Sequence, residues 1–103
     1  MNTLNYGKLF ITILGKQVDS GMFTINIKIK NNATLTSIIF PNEEVRLIAD
    51  GQVIPLEDYK FENNMNPGQE VTGTLLFKLS AKVKKAVLQF GKTVLPKVNV
   101  ELK

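Results

Sequence analysis

The lysines of the C-terminal third are the residues whose type and spacing best suit a binding function. Seven of the 13 basic residues follow residue 70, and Glu101 is the only acidic residue there. A basic segment of this kind can attract nucleic acid, anionic lipid or an acidic protein surface. The candidate binding residues lie in two neighbouring connections between apolar runs: Lys82, Lys84, Lys85 and Lys92.

A solvated, solubilising lysine face is the plainer interpretation of the same residues, and we favour it. Arg46 is the only arginine, whereas bidentate recognition of phosphate or guanine favours arginine over lysine. The four lysines also form one patch only if their two connections lie at the same end of the domain. Nucleic acid or an anionic polymer therefore stays an alternative ligand.

Nucleophilic catalysis is not indicated. The chain has no histidine and no cysteine, which removes the usual general base, the thiolate nucleophile and any disulfide. Ser20 and Ser37 have no base in a recognisable motif, and a Ser–Lys arrangement of Ser80 with 82–85 is less favoured than a solvated turn. We predict no catalytic residues and no enzyme activity.

Carboxylates occur in two adjacent pairs, at 43–44 and 57–58, with Glu62 and Glu70 as further acidic residues. Oxygen ligands for calcium are conceivable from Asp50, Glu57, Asp58 and Asn63, but their spacing matches no known calcium loop. Solvated loops are the favoured interpretation, so we predict no metal site and no cofactor.

Aromatic residues give little support to nucleic-acid stacking. The phenylalanines at 23, 77 and 90 follow the period of core-facing positions, which leaves Tyr6, Tyr59 and Phe61 as the aromatics with the best chance of exposure. Residues 59–61 lie in an acidic stretch, where phosphate would be repelled. Packing in the core or a loop is the favoured role of all three.

The elements that must position these residues are strands. Segment 23–30 alternates apolar and polar residues over its whole length, which predicts a half-buried strand. Apolar or β-branched runs predict further strands at 8–14, 34–40, 45–49, 53–56, 71–79, 86–90 and 94–102, with a turn over 15–21. No segment predicts more than a single helical turn, and none has the ~18 apolar residues that a membrane-spanning helix needs.

Turn residues refine this picture. The Asp50-Gly51 pair between two apolar runs predicts a type I′ hairpin, and Pro55 predicts an edge position for the second strand of that hairpin. Residues 57–70 form the longest predicted loop, with a tight turn at Pro67-Gly68. We predict a single domain over 1–103, with an all-β, immunoglobulin-like antiparallel β-sandwich fold of seven core strands plus one or two extra.

Three segments resemble a known family: 23–32, 66–77 with its Pro-Gly-Gln-Glu-Val-Thr-Gly-Thr-Leu-Leu-Phe run, and 86–90. They resemble the DUF4352 group of immunoglobulin-like domains, related to the telokin-like and MPT63-type sandwiches. In this pattern Gly73 permits a close approach of a neighbouring strand and Phe77 fills the core. The segment 94–103 exceeds the pattern and is expected to add an edge strand.

The resemblance implies a secreted or lipid-anchored protein of the bacterial envelope without enzymatic activity. The residues themselves predict a cytoplasmic protein, because 1–16 does not have the pattern of a secretory signal and no lipidation cysteine is present. We expect a non-enzymatic interaction or structural module that binds a protein partner, or self-assembles, through loops or an edge strand. The alternative is the lysine-rich binder of nucleic acid or anionic polymer.

Overall fold

The strongest alternating segment of the sequence forms the central strand of the domain, β3 (Met22–Asn31). A computed structural model describes residues 2–19, 21–79, 85–92 and 95–102. The apolar residues of the alternation, Phe23, Ile25, Ile27 and Ile29, are all buried. Burial of one complete face fixes the register of β3, because a slip by one residue would expose every one of these side chains.

Strand β3 lies in the middle of a five-stranded antiparallel sheet with the order β1-β2-β3-β9-β7. The neighbours of β3 are β2 (Leu9–Asp19) and β9 (Glu70–Lys78). The outer strands are β1 (Asn2–Tyr6) and β7 (Asp58–Lys60). This sheet is called the first sheet below.

The second sheet has four antiparallel strands in the order β11-β10-β5-β6. They are β5 (Val45–Ala49), β6 (Gln52–Pro55), β10 (Ala86–Lys92) and β11 (Leu95–Leu102). Its buried residues alternate along β5 and β10 and join the buried face of the first sheet in one hydrophobic core. The predicted all-β antiparallel sandwich is therefore confirmed, although the described residues include eleven strands because several are very short.

A third, two-stranded sheet closes one end of the sandwich. It pairs β4 (Ser37–Ile38) with β8 (Asn64–Met65), and the single helical turn α1 (Pro41–Glu44) follows β4. Asn31, the last residue of β3, lies at this end, which we call the Asn31 end. The opposite end carries Gly21 and the Asp50-Gly51 turn, and we call it the Gly51 end.

The turns predicted at Asp50-Gly51 and Pro67-Gly68 are confirmed. Asp50 and Gly51 have φ angles of 48° and 86°, as a type I′ turn requires, and they join the paired residues Ala49 and Gln52 of the β5–β6 hairpin. At the second turn the Gln69 N–H donates to the Asn66 carbonyl at 3.0 Å, and Gly68 has the positive φ of 77° that the third position of a type II turn needs.

The edge predictions are also confirmed. Pro55 lies in β6, at one edge of the second sheet, and β11 forms the other edge. Proline is tolerated at an edge because its nitrogen cannot donate to a neighbouring strand. The predicted edge strand at the end of the sequence is thus β11 of the second sheet.

Three predicted boundaries are wrong. Residues 15–19 are not a turn: β2 passes a β-bulge between Ile13 and Gly15 and continues to Asp19, paired with the first half of β3. Only 37–38 of the predicted strand 34–40 is a strand, since Asn31 draws the residues before it into a bent loop. The predicted loop 57–70 contains two strands, β7 and β8.

Candidate functional site

Asn31 organises the loops at the Asn31 end. Its side chain is fully buried, and its amide nitrogen donates hydrogen bonds to the carbonyls of Leu35 at 3.0 Å and Met65 at 2.9 Å. The amide oxygen accepts from the Ala33 N–H at 2.9 Å and from the Ser37 hydroxyl at 3.4 Å. A buried amide with both ends bonded stabilises one arrangement of its neighbours, because any other leaves polar atoms unsatisfied.

The backbone of Asn31 fixes the second loop of this end. The Asn31 N–H donates to the Gln69 carbonyl at 3.0 Å, and the Asn31 carbonyl accepts from the Gly68 N–H at 2.8 Å. One residue therefore holds both the segment 32–37 and the turn at 66–69.

A buried carboxylate lies beside this pair of loops. Glu44, at the end of α1, is only 2% exposed. It accepts a hydrogen bond of 2.6 Å from the Tyr6 hydroxyl and one of 2.7 Å from the Phe40 N–H. Burial of a carboxylate is costly unless hydrogen bonds replace its water, and these donors do so.

The environment of Tyr6 strongly disfavours its ionised form. Burial raises the pKa of the Tyr6 phenol well above its usual range, and the hydrogen bond to Glu44 and the negative charge of Glu44 raise it further. Arg46 opposes the shift weakly. The phenol therefore serves as a hydrogen-bond donor that keeps its proton.

The segment between these two anchors exposes large apolar side chains. Leu35 is 75% exposed, Ile38 46% and Phe40 52%; we call these three residues the loop patch. Ile39, between two of them, is fully buried. Because side chains alternate along an extended chain, Ile38 and Phe40 are directed away from the core.

The loop patch is held on a fixed backbone. The Ile39 N–H donates to the Asn63 carbonyl at 3.0 Å, and the Asn63 side-chain amide donates back to the Ile39 carbonyl at 3.0 Å. A small open cavity of about 240 Å³ lies next to Ile38, between Tyr6, Lys8 and Ser37. The arrangement suits contact with an apolar surface.

The two candidate lysines that the structure describes, Lys85 and Lys92, do not lie close together. Lys85 precedes β10 and Lys92 ends it, so their backbones are separated by roughly 20 Å, at about 3.3 Å per residue. Lys85 is exposed at the Gly51 end, where its backbone N–H donates to the Asp50 carboxylate at 2.8 Å. Lys82 and Lys84 lie outside the described residues, and binding by the four lysines stays a prediction.

The favoured packing of Tyr6, Tyr59 and Phe61 in the core or a loop is confirmed. Tyr6 is buried, and Tyr59 and Phe61 pack on the core with ring centroids 5.2 Å apart. The aromatics with large exposed fractions are Phe10 and Phe40. Phe10 was missed because it precedes Ile11 in an apolar run that gives no clear alternation.

The residues considered as calcium ligands have other partners. The carboxylate of Asp50 accepts from the Lys85 N–H, and that of Asp58 accepts from the Tyr59 N–H. Glu57 lies 3.8 Å from the Lys78 ammonium, and the Asn63 side chain bonds the Ile39 carbonyl. In the part of the chain that is described, no three acidic side chains group around a point where a metal could bind.

Of the serines considered as nucleophiles, Ser37 donates a hydrogen bond to the Asn31 side chain, while Ser20 and Ser80 lie outside the described residues.

No family model matches the chain, and no curated protein matches it. Several solved structures are similar. A functionally unknown protein from Listeria monocytogenes EGD-e has a TM-score of 0.69 at 12% identity, over 97% of this chain and 80% of that one. The Bacillus subtilis protein ycdA, described as a candidate lipoprotein, has a TM-score of 0.76 at 15% identity, over 98% of this chain but only 38% of its own.

The third similar structure is the archaellum periplasmic stator protein FlaG from Sulfolobus acidocaldarius. It has a TM-score of 0.56 at 17% identity, over 89% of this chain and 97% of that one. Among the described residues, no helix has the length and apolar character needed to cross a membrane. At these identities the similarity shows the fold, and the chain shares its β-sandwich with proteins from both bacteria and an archaeon.

Proposed function

We propose that this domain is a non-enzymatic interaction module that binds another protein chain through the loop patch. The observation that carries the proposal is the exposure of Leu35, Ile38 and Phe40 on a backbone held at both sides by buried polar anchors. Exposed apolar side chains grouped in one segment favour contact with a partner, since that contact removes them from water.

Rigid support is what distinguishes the loop patch from an unstructured apolar loop. Asn31 bonds the Leu35 carbonyl and Glu44 bonds the Phe40 N–H, so the backbone is fixed just where the patch begins and ends. A surface that is already ordered loses little conformational entropy when it binds. Loops positioned by a sandwich are a common location of binding surfaces for the same reason.

A structural role at the cell surface is consistent with the similar proteins. One of them is described as a candidate lipoprotein and another as a periplasmic stator of the archaellum. Together with the resemblance to the DUF4352 group, they support a proposed place for this domain in the cell envelope. The absence of histidine and cysteine from the sequence supports a module without catalytic activity.

The proposal is tested by cross-linking and affinity capture with a variant of the loop patch. The variant carries Leu35→Ser, Ile38→Ser and Phe40→Ser, and the matched control carries Val18→Ser and Val53→Ser, two exposed apolar residues outside the patch. A stoichiometric protein partner that the wild type and the control capture, and that the patch variant loses, supports the proposal. Equal capture by all three proteins would overturn it.

The salt dependence of binding distinguishes a protein partner of the loop patch from nucleic acid or an anionic polymer bound by the lysines. Nucleic acid or an anionic polymer recovered at low salt and lost steeply at high salt would assign the function to the lysines instead. In that case the loop-patch variant would retain its ligand, and Lys85→Glu with Lys92→Glu would lose it.

A further inference from the structure

The outer face of the first sheet, turned away from the second sheet, carries an open groove of about 690 Å³. Its apolar side is formed by Phe10 and Leu14, which are 38% and 55% exposed. Its other side is formed by Lys28 and Lys30. We call these four residues the groove. They belong to the adjacent strands β2 and β3.

Strand register explains why the groove has two chemically different rows. Phe10 pairs with Lys30 across the two strands, and Thr12 pairs with Lys28. The bulge after Ile13 leaves Leu14 without a partner position in β3 and directs it to the outer face beyond Thr12. An apolar row thus runs along β2, beside a cationic row on β3 about 5 Å away.

The two lysines of the groove have no ion-pair partner among the described residues. The one ion pair seen among the described residues joins Lys78 to Glu57, which lie outside the groove. Glu70, which pairs with Lys30 in the strand register, also lines the groove, but its carboxylate is not within ion-pair distance of either ammonium group. The groove therefore presents a net positive charge beside its apolar row.

The loop patch has the complementary composition. Glu43, in α1, is exposed, and its N–H donates to the Phe40 carbonyl. Glu62 is exposed as well and precedes Asn63, the residue that bonds Ile39. Lys8 and Arg46, whose guanidinium bonds the Glu43 carbonyl, are opposite charges near the patch. The buried Glu44 is a third carboxylate there, so the net charge stays negative, whereas Glu70 is the one opposite charge among the described residues that line the groove. The loop patch is therefore apolar with a net negative border.

We infer that the groove binds the loop patch of a second copy of this chain, an inference that rests on the proposed function of the patch and names its partner. Phe40 and Ile38 of one copy pack on Phe10 and Leu14 of the next, while Glu43 and Glu62 meet the lysines of the groove. Complementary charge around an apolar centre sets orientation and excludes the reverse pairing.

The two surfaces use different residues, so two copies can form either of two assemblies. In a two-fold dimer each groove holds the patch of the other copy, whereas a single contact per pair leaves one groove and one patch free for further copies. In both assemblies the mean mass rises above that of the monomer as the protein concentration increases.

Charge reversal on each surface tests the inference by sedimentation velocity over a range of protein concentrations at low and moderate salt. One variant carries Lys28→Glu and Lys30→Glu; the other carries Glu43→Lys and Glu62→Lys. We expect the dissociation constant for self-association of each variant alone to be at least about tenfold higher than that of the wild type. An equimolar mixture recovers association, because each reversed groove then meets a reversed patch.

The matched control reverses Lys16 and Lys60, two exposed lysines outside the groove, and changes the net charge by the same amount. We expect it to associate like the wild type, and thermal melting checks that every variant is folded. A wild type that remains monomeric, a control that loses association equally, or a mixture that fails to recover it would each overturn the inference. The proposed function survives those results if the loop-patch variant still loses a different captured partner.

Discussion

The Tyr6 hydroxyl donates a 2.6 Å hydrogen bond to the Glu44 carboxylate across 38 positions of sequence. The bond joins the end of β1, in the first sheet, to α1, which leads into the second sheet. The second carboxylate oxygen of Glu44 accepts from the Phe40 N–H. Glu44 thereby connects the sandwich to the backbone that carries the loop patch.

Removal of the phenol hydroxyl should destabilise the domain measurably. Tyr6→Phe takes one donor from a buried carboxylate, and we expect the free energy of unfolding to fall by about 2 kcal/mol in urea denaturation. Tyr59→Phe is the matched control, because no hydrogen bond of its hydroxyl is seen in the described residues, and it should cost under about 0.5 kcal/mol. Equal losses in both variants would show that the Glu44 bond contributes nothing specific.

Glu44→Gln should be coupled to Tyr6→Phe. The amide retains the shape of Glu44 but loses its charge, so the hydrogen bond from the phenol becomes weaker. In a double-mutant cycle we expect a coupling free energy of about 1–2 kcal/mol between the two positions. Strictly additive losses would contradict the direct interaction.

Alkaline pH should reveal the Tyr6 environment. The folded state raises the pKa of the Tyr6 phenol, so above about pH 10 the unfolded chain releases this proton while the folded protein retains it. The stabilisation is complete below that pH and is lost as pH rises, at up to about 1.4 kcal/mol per pH unit. Tyr6→Phe should have a shallower decline between pH 9.5 and about 11.5; parallel curves for the two proteins would contradict the shifted pKa.

Asn31→Ala should release both loops of the Asn31 end. The variant leaves the Leu35 and Met65 carbonyls without a donor, and we expect a loss of about 3 kcal/mol in the free energy of unfolding. Hydrogen exchange should rise over 33–37 and 64–69 more than in β3. The neighbouring exposed residue gives the control, Asn32→Ala, which should leave the exchange of both loops unchanged; protection retained in Asn31→Ala would contradict the role of the amide.

Local sequence was enough to predict the elements that depend on alternation or on one turn. The period-two pattern of β3 is compatible with a single strand register, since only one register buries the apolar residues of the alternation from Phe23 to Ile29. Asp50, Gly51 and Gly68 have positive φ angles that few other residue types tolerate. Pro67 supplies the fixed negative φ that the second position of its turn needs. These predictions needed no knowledge of distant residues.

The candidate site could not be predicted in the same way. Glu43-Glu44 has the pattern of a solvated pair, yet Glu44 is buried and bonded to Tyr6, which lies 38 positions away in sequence. The apolar run 34–40 predicts a buried strand, yet its only strand partner in the described chain is the two-residue β8. Residues 15–19 have the composition of a turn, but they form a strand because they pair with the first half of β3. Each error reverses a local preference through a contact that is distant in sequence.

Arg46, the only arginine, has a structural role. Its guanidinium donates to the Gln89 side chain at 2.7 Å, and to the carbonyls of Glu43 at 3.1 Å and Gly91 at 3.3 Å, so it ties β5 to α1 and β10. Arg46→Lys retains the charge but not the planar fork. We expect a loss of about 1–2 kcal/mol in thermal or urea unfolding, and a variant as stable as the wild type would show that charge alone is sufficient.

Gly73 offers the most direct test of the packing between β7 and β9. A Cβ placed on Gly73 would collide with the Lys60 carbonyl and with the Cβ of Phe61. Backbone atoms cannot move aside as a flexible side chain can, so Gly73→Ala must displace the strand β7. We expect a loss of about 3 kcal/mol or more in urea denaturation, at the upper end of the cost of overpacking.

Gly15→Ala is the control for that experiment, since it makes the same substitution in the first sheet. There the nearest atom to the new Cβ is the side-chain nitrogen of Asn26, at the ordinary contact distance of 3.9 Å. Alanine should therefore be tolerated at position 15, with a change within about 1 kcal/mol of the wild type. If both variants are equally stable, β7 does not lie as close to Gly73 as described; if both unfold, the sheet tolerates no added methyl group and the close approach at Gly73 is not special.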